Sequence, residues 1–151
     1  MGARMRKLLK LAAGWMPGNG LRVALLRACG YRVGTDVYVG PGFLVADELP
    51  DNGHDVTIGN RVSIGPSVIL VTSSSPNQSR LRSVTGHTKG PVVIEDDAWI
   101  GAGSILLPNI RVGAMSIVAA GAVVTEDIPP HSIFAGVPAR VVKRIEGNVV
   151  A

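Results

Sequence analysis

An aliphatic residue returns at every sixth position through much of this chain. A period of six fits neither a helix of 3.6 residues per turn nor the two-residue alternation of one long strand. It fits a short strand followed by a corner. The longest unbroken series is Ile94, Ile100, Leu106, Val112, Val118 and Val124, and shorter series in the same frame are Ile58, Ile64 and Leu70, and Val33 and Val39.

Three such units predict one triangular coil of about 18 residues, with successive coils stacked at the strand spacing of about 4.8 Å. The aliphatic position then points inward, and the glycine that often follows it, such as Gly101 or Gly113, is expected to relieve backbone strain at the corner. One unit alone buries too little apolar surface, so the stack is cooperative between neighbours. The pattern therefore predicts an all-β protein with a parallel β-helix. A second small or aliphatic position recurs in the frame at Ala98, Ser104, Ile110, Ser116 and Ala122.

Interruptions of the six-residue frame give the organisation of the chain. Residues 1–30 form a basic, helical N-terminal cap, residues 31–145 form the repeat domain, and residues 146–151 form a tail. A polar insertion at 46–55 and a polar segment at 73–91 leave the stack, and the second is expected to project as a loop. The helical cap at one end and the segment after the last repeat at the other end cover the stacked strands.

Composition agrees with short strands and tight corners. Hydrophobic residues make up 46% of the chain and aromatic residues only 4%, so Val, Ile, Leu and Ala must build the interior. A single cysteine, Cys29, excludes an internal disulfide framework and is expected to be a small buried hydrophobe. Together with the absence of a signal peptide or an apolar run of about 20 residues, this favours the cytoplasm.

The positive charge of the chain is concentrated at its N-terminus. Alternation of these cations with apolar residues predicts an amphipathic helical segment that packs on the domain and leaves its charges in water. The alternative is peripheral contact with an anionic membrane surface. Nucleic-acid binding is disfavoured because few aromatic residues accompany the charges. The basic residues that precede the first acid, Asp36, are Arg4, Arg6, Lys7, Lys10, Arg22, Arg27 and Arg32.

The repeats, the segment before "AWIG" and the ending "VVTEDIPPHSIFAGVPARVVKRI" together resemble the hexapeptide-repeat acyltransferases. The resemblance covers residues 31–145 and is strongest to sugar O-acetyltransferases of the galactoside, maltose and xenobiotic kind. It implies a left-handed β-helix and a homotrimer that holds acetyl-CoA between adjacent subunits. It also implies acetyl transfer from acetyl-CoA to a hydroxyl of a sugar or glycan, and no metal.

The resemblance assigns several residues to the acetyl-CoA groove. Trp99 matches a tryptophan beside the pantetheine channel, although a residue covering a coil corner explains it equally well. Ala102 and Ala120 match positions whose backbone meets the pantetheine arm. Arg140 and Lys143 match cations that approach the CoA phosphates.

One expected contact in this groove is altered. Thr125 matches the first residue of a Thr-Lys pair in the family, but Glu126 stands where the lysine is expected. A carboxylate at that position repels phosphate, so the resemblance implies one phosphate contact fewer.

The catalytic position departs further from the family. The general base there is a histidine that stands just before a proline, 24 residues ahead of the tryptophan, and this spacing leads to Ser75 followed by Pro76. A serine cannot act as the base unless another group activates it. His87, twelve residues later in the same loop, is the first candidate to replace the histidine, either at Ser75 or in a neighbouring subunit. An exposed loop histidine without a role is the alternative.

Other positions bear on the base and the acceptor. His54, in the earlier insertion, is a second candidate base, and His131 is interpreted as structural. Gly40 replaces an asparagine of the acceptor site, and Glu48 supplies a carboxylate there unless it is a solvated loop acid. Asn77 can orient an acceptor, or it can form a local turn after Pro76.

Two other functions compete with acetyl transfer. A zinc enzyme of the γ-type carbonic anhydrase kind needs closely spaced histidines, and the three histidines of this chain are far apart in sequence. A non-catalytic, trimeric CoA-binding or scaffold protein would explain the loss of the histidine at Ser75 and of the lysine at Glu126.

Overall fold

The computed structural model describes residues 3–47 and 55–146 of the chain. Each strand from β1 to β14 has two or three residues, as a short strand followed by a corner requires. The helices are α1 (Ala3–Trp15), α2 (Asn19–Ala28) and α3 (Arg82–Thr85). The strands are β1 (Arg32–Val33), β2 (Tyr38–Val39), β3 (Leu44–Ala46), β4 (Val56–Ile58), β5 (Ser63–Ile64), β6 (Ile69–Val71), β7 (Ser73–Ser74), β8 (Thr88–Lys89), β9 (Val92–Ile94), β10 (Trp99–Ile100), β11 (Ile105–Leu106), β12 (Ile110–Val112), β13 (Ile117–Val118), β14 (Val123–Val124), β15 (Ser132–Ala135) and β16 (Arg140–Arg144).

The strands form three parallel faces. The first face has the order β1-β4-β9-β12, the second β2-β5-β10-β13-β15 with β16 at its end, and the third β3-β6-β11-β14. Each coil therefore contributes one strand to each face, which is the arrangement of a three-sided parallel β-helix.

Residues of the six-residue series stack on one another inside the coils. On the second face Val39 pairs with Ile64, Ile64 with Ile100, and Ile100 with Val118. The six residues from Ile94 to Val124 are almost completely buried, which confirms the inward position predicted from the sequence. Burial of each such side chain stabilises the fold by roughly 1.5–3 kcal/mol before the entropy cost of folding.

The glycine after the inward residue does not have the role expected from the sequence. Gly101 is needed because a Cβ there would lie 2.5 Å from the Ala120 backbone nitrogen, and a Cβ on Gly65 would lie 2.7 Å from that of Ala102. These glycines permit close approach of successive coils. The left-handed turn falls two residues later and is made mostly by other residue types, at Asp36, Gly42, Arg61, Ser67, Asp97, Gly103, Asn109, Met115, Gly121 and His131.

Helices α1 and α2 pack against each other and against the first coil. Arg22 of α2 fixes this contact, because its Nε donates to the Val39 carbonyl at 2.7 Å and its Nη1 donates to the Met16 carbonyl at 2.8 Å. The Asn19 side chain adds a second link, donating to the Val37 carbonyl and accepting from the Val39 N–H, each at 2.8 Å.

The charges of α1 do not all remain in water, contrary to the sequence-based expectation. Arg6 and Lys10 turn inward to the buried Asp47 carboxylate, with which Lys10 forms a salt bridge and to which Arg6 Nη2 lies 3.7 Å away. The Tyr31 hydroxyl donates to the same carboxylate at 3.0 Å. A buried carboxylate needs opposite charge and hydrogen-bond donors, which explains why Arg6 and Lys10 point inward and not into water. Within the described residues, no helix is long and apolar enough to cross a membrane.

The opposite end of the β-helix is closed by a hairpin. Strand β15 extends the second face in the parallel sense, whereas β16 returns antiparallel to it, with a register shift between Ile133 and Phe134. The turn of this hairpin rests on the third face, since the Ala139 N–H donates to the Val123 carbonyl at 2.8 Å and the Val123 N–H to the Gly136 carbonyl at 3.0 Å.

Candidate active site

We call the polar segment at residues 73–91 the arm. It contains a short antiparallel hairpin. Ser73 pairs with Lys89 and Ser74 with Thr88, and the Gly90 N–H continues the ladder by donating to the Thr72 carbonyl at 2.9 Å. The residues of β7 and β8 are polar, so the pattern of apolar residues in the sequence could not predict these two strands.

The hairpin register places Ser75 just after β7 and His87 just before β8, each one residue beyond the Ser74–Thr88 pair. Both residues line a cavity of about 320 Å³, together with Asn77, Arg82 and Gly86. Ser75 is half-buried and the imidazole of His87 is exposed, so a hydroxyl from solution has access to it. The eleven residues between them in sequence include the short helix α3.

Ser75 hydrogen bonds with Asn77 inside this cavity. The Ser75 Oγ donates to the Asn77 Oδ1 at 3.0 Å, and the Asn77 N–H approaches the same Oγ at 3.4 Å. The backbone of Asn77 is left-handed, with φ of 45°, a conformation that asparagine tolerates better than most residues. An amide oxygen does not remove a proton, so this contact orients Ser75 without making it a nucleophile.

Arg82 is a residue of the candidate site that the sequence pattern did not indicate. It is exposed and lines the cavity with Ser75 and His87, and no carboxylate of the described residues forms an ion pair with it. The available signal was charge: the arm has Arg80, Arg82 and Lys89 and no acidic residue. The cavity thus presents a guanidinium beside the candidate base.

Two residues proposed for the acceptor side, Glu48 and His54, lie outside the described residues. Gly40 is buried where the first coil approaches the second, since a Cβ there would lie 2.5 Å from the Pro66 nitrogen. His131 occupies a left-handed corner far along the chain from the arm, with φ of 56°, and its N–H donates to the Ala114 carbonyl at 3.0 Å.

The residues assigned to the acetyl-CoA groove lie on the outside of the later coils. Trp99 is 56% exposed on the second face, between Ser63 and Ile117 of the adjacent strands. Ala102 and Ala120 are exposed at the same corner of successive coils, where the Gly121 N–H donates to the Ala102 carbonyl at 2.8 Å. The other three, Thr125, Arg140 and Lys143, are also exposed.

Arg140 is engaged by the carboxylate that replaces the expected lysine. Its Nη1 lies 3.3 Å from Glu126 Oε1 and also donates to the Ala139 carbonyl at 2.8 Å. Glu126 therefore does more than remove one cation, since it also neutralises a second cation of the expected phosphate site.

Burial raises the pKa of the Cys29 thiol, although Arg6 and Lys10 act in the opposite direction. No group of three or more His, Cys, Asp or Glu residues suited to a metal ion occurs within residues 3–47 and 55–146.

A model of one protein family, described as bacterial transferase hexapeptide (six repeats), matches residues 91–126. The galactoside O-acetyltransferase of Lactococcus lactis is 35% identical over 115 residues, which are 76% of this chain and 53% of that protein. The galactoside O-acetyltransferase of Escherichia coli is 34% identical over 116 residues, 76% of this chain and 57% of that protein. The chain thus spans about half the length of these curated relatives.

Solved structures match over more of their length. The hexapeptide-repeat containing acetyltransferase VCA0836 of Vibrio cholerae, solved with acetyl coenzyme A, superimposes with a TM-score of 0.70 and 30% identity, over 95% of this chain and 87% of that one. A maltose O-acetyltransferase of Clostridium difficile gives a TM-score of 0.67 and 29% identity, over 95% and 86% of the two chains. Because likeness at this identity extends over nearly the whole of both chains, the chain belongs to the hexapeptide-repeat acyltransferases, and its coils form the all-β, left-handed parallel β-helix of that family.

Proposed function

We propose that this protein transfers an acetyl group from acetyl-CoA to a hydroxyl of a sugar or glycan. The observation that carries the proposal is the cavity in which Ser75, Asn77, Arg82 and His87 converge, in a chain whose relatives are galactoside O-acetyltransferases. A histidine next to a polar cavity is the group that this reaction needs, because its pKa ordinarily lies near neutral pH.

In the proposed reaction, His87 accepts the proton of the acceptor hydroxyl while that oxygen attacks the thioester carbonyl of acetyl-CoA. The new ester C–O bond forms, the C–S bond breaks, and the proton held by His87 passes to the departing sulfur. Ser75 and Asn77 form a preorganised polar pair that orients the acceptor. Ser75 is thus a positioning residue at the place where the family carries its base.

Acetyl-CoA is proposed to bind along Trp99, Ala102 and Ala120, with its phosphates near Arg140 and Lys143. All of these residues are exposed in one chain, which supports a groove completed by another subunit of a homotrimer. Action in the cytoplasm, to which a single buried cysteine is suited, belongs to the same proposal.

The test is release of free thiol from acetyl-CoA in the presence of a panel of sugars and nucleotide sugars. The native protein adds little to the thiol signal, because Cys29 is buried. Acceptor-dependent release supports the proposal. Binding of CoA without release with any acceptor supports the alternative of a non-catalytic, CoA-binding homologue, and failure to bind CoA contradicts the groove assignment.

A further inference from the structure

The outward face of α1 is apolar. Met5, Leu8, Leu11 and Trp15 are 55%, 62%, 51% and 79% exposed, respectively. Their spacing of three or four residues places them along one side of the helix. Large apolar side chains grouped on a surface in this way indicate a site of contact with a protein or a membrane.

This orientation is fixed by the opposite side of the helix. Arg6 and Lys10 are held at the buried Asp47 carboxylate, and Ala13 is buried in the core. Rotation of α1 to hide its apolar side would remove both cations from Asp47 and leave a buried charge unpaired, which is strongly unfavourable. The apolar side therefore stays outward in this fold.

Charge accompanies the exposed apolar residues. Arg4 and Lys7 are exposed, and each precedes an apolar member of the outer face by four residues, Leu8 and Leu11 respectively. Residues 3–32 contain no acid, and the cations of this range that are exposed are Arg4, Lys7, Arg27 and Arg32. A helix with apolar residues, a tryptophan and cations on one face is suited to the interface of an anionic bilayer.

We propose that the outer face of α1 (Arg4, Met5, Lys7, Leu8, Leu11 and Trp15) binds the surface of an anionic lipid membrane. The helix has 13 residues and a length of about 20 Å, so it lies in the plane of the interface. A second copy of the chain is a poorer partner for this face, because pairing two α1 helices would bring their exposed cations together. This membrane contact does not depend on acetyl transfer. It adds to the proposed function a place in the cell where the protein works.

The first test is co-sedimentation of the full chain with vesicles of phosphatidylcholine alone or with phosphatidylglycerol. The chain should bind only the anionic vesicles, and added salt should weaken binding. A Leu8→Gln, Leu11→Gln double variant should bind at least about tenfold more weakly. The matched control is Val141→Gln with Val142→Gln, two exposed apolar residues of the terminal hairpin, 55% and 67% exposed, which should bind like the original chain.

The second test observes Trp15 directly. The chain contains two tryptophans, so a Trp99→Phe background leaves Trp15 as the sole tryptophan. Its fluorescence should shift to shorter wavelength with anionic vesicles and not with neutral ones. The proposal is overturned if the full chain stays unbound at low salt, or if the Leu8/Leu11 variant binds as well as the control. It is also overturned if that variant lowers the sedimentation mass of the protein, because the face then covers another copy.

Discussion

Ser75 follows and His87 precedes the last pair of the β7–β8 ladder, Ser74–Thr88, and both residues line the same cavity. Ser75 is the position where the family resemblance predicts a histidine. A base moved twelve residues along the sequence can thus serve the same place in space, because an antiparallel hairpin folds the intervening segment back on itself.

Replacement of the proposed base should abolish most of the activity. In a His87→Asn variant we expect kcat/KM for acetyl transfer to fall by about 10²-fold or more, because proton removal from the acceptor is lost. Thiol release over a range of acceptor concentrations is the measurement. His131→Asn is the matched control, since asparagine also accepts the left-handed backbone at that corner. Equal rates in the two histidine variants would exclude His87 as the base.

Arg82 should select acceptors that carry a carboxylate or a phosphate. An Arg82→Gln variant should raise KM for such acceptors by roughly 10–100-fold, the equivalent of one charge-assisted hydrogen bond, and leave KM for neutral sugars unchanged. Arg80→Gln is the matched control, because Arg80 is an exposed cation of the same arm that is not among the residues lining the cavity. If the two variants behave alike, the effect reflects only the general charge of the arm.

Removal of the Glu126 charge should strengthen CoA binding. Glu126→Gln releases Arg140 for a phosphate, and we expect the Kd for CoA to fall about twofold to fivefold, the range of an exposed ion pair. Isothermal titration measures this change. Asp97→Asn removes the same charge from another exposed pair, Arg61–Asp97 at 2.7 Å, and should leave the Kd unchanged. A comparable gain in both variants would indicate a long-range effect of net charge.

The buried ion cluster at α1 should be important for stability. Asp47→Ala leaves Arg6 and Lys10 without their carboxylate, and we expect the free energy of unfolding to fall by about 3–5 kcal/mol. Urea denaturation followed by circular dichroism measures the change. Asp97→Asn, in an exposed pair, should have a much smaller effect, and similar costs for the two variants would show that the Asp47 cluster is not buried in solution.

Close approach of the coils predicts a large difference between two glycines. Gly101→Ala should destabilise the protein by about 1–3 kcal/mol, because the new Cβ meets the Ala120 nitrogen at 2.5 Å. Gly20→Ala in α2 meets no atom within 4 Å and should stabilise the helix by up to about 1 kcal/mol. Thermal unfolding of both variants measures this difference. Unchanged stability in Gly101→Ala would mean that the coils can move apart at little cost.

The sequence carried enough information for the β-helix because its inward residues repeat at fixed spacing, as from Ile94 to Val124. It could not give the reason for the glycines, since close approach at Gly101 depends on a neighbouring coil 18 residues away. The inward turn of Arg6 was hidden for a similar reason. Its carboxylate partner, Asp47, is far along the chain, and local alternation of charged and apolar residues assigns cations to water.

The candidate site was only partly predictable. His87 and Ser75 could be singled out by residue type and spacing, but their common cavity depends on the register of β7 with β8, and those strands have no hydrophobic alternation. Arg82 was missed because nothing in a local motif distinguishes it from Arg80. The pairing of Arg140 with Glu126 depends on the turn between β15 and β16, which rests on the third face.

The direction of β16 also determines how many coils the molecule can have. A hexapeptide coil offers the same parallel edge at each end as inside the stack, so nothing in the repeat itself prevents further growth. Here β16 runs antiparallel on β15, with a register shift and three cations at Arg140, Lys143 and Arg144. An edge of this kind does not accept another parallel coil. We therefore expect this edge of the second face not to pair with a second copy of the protein.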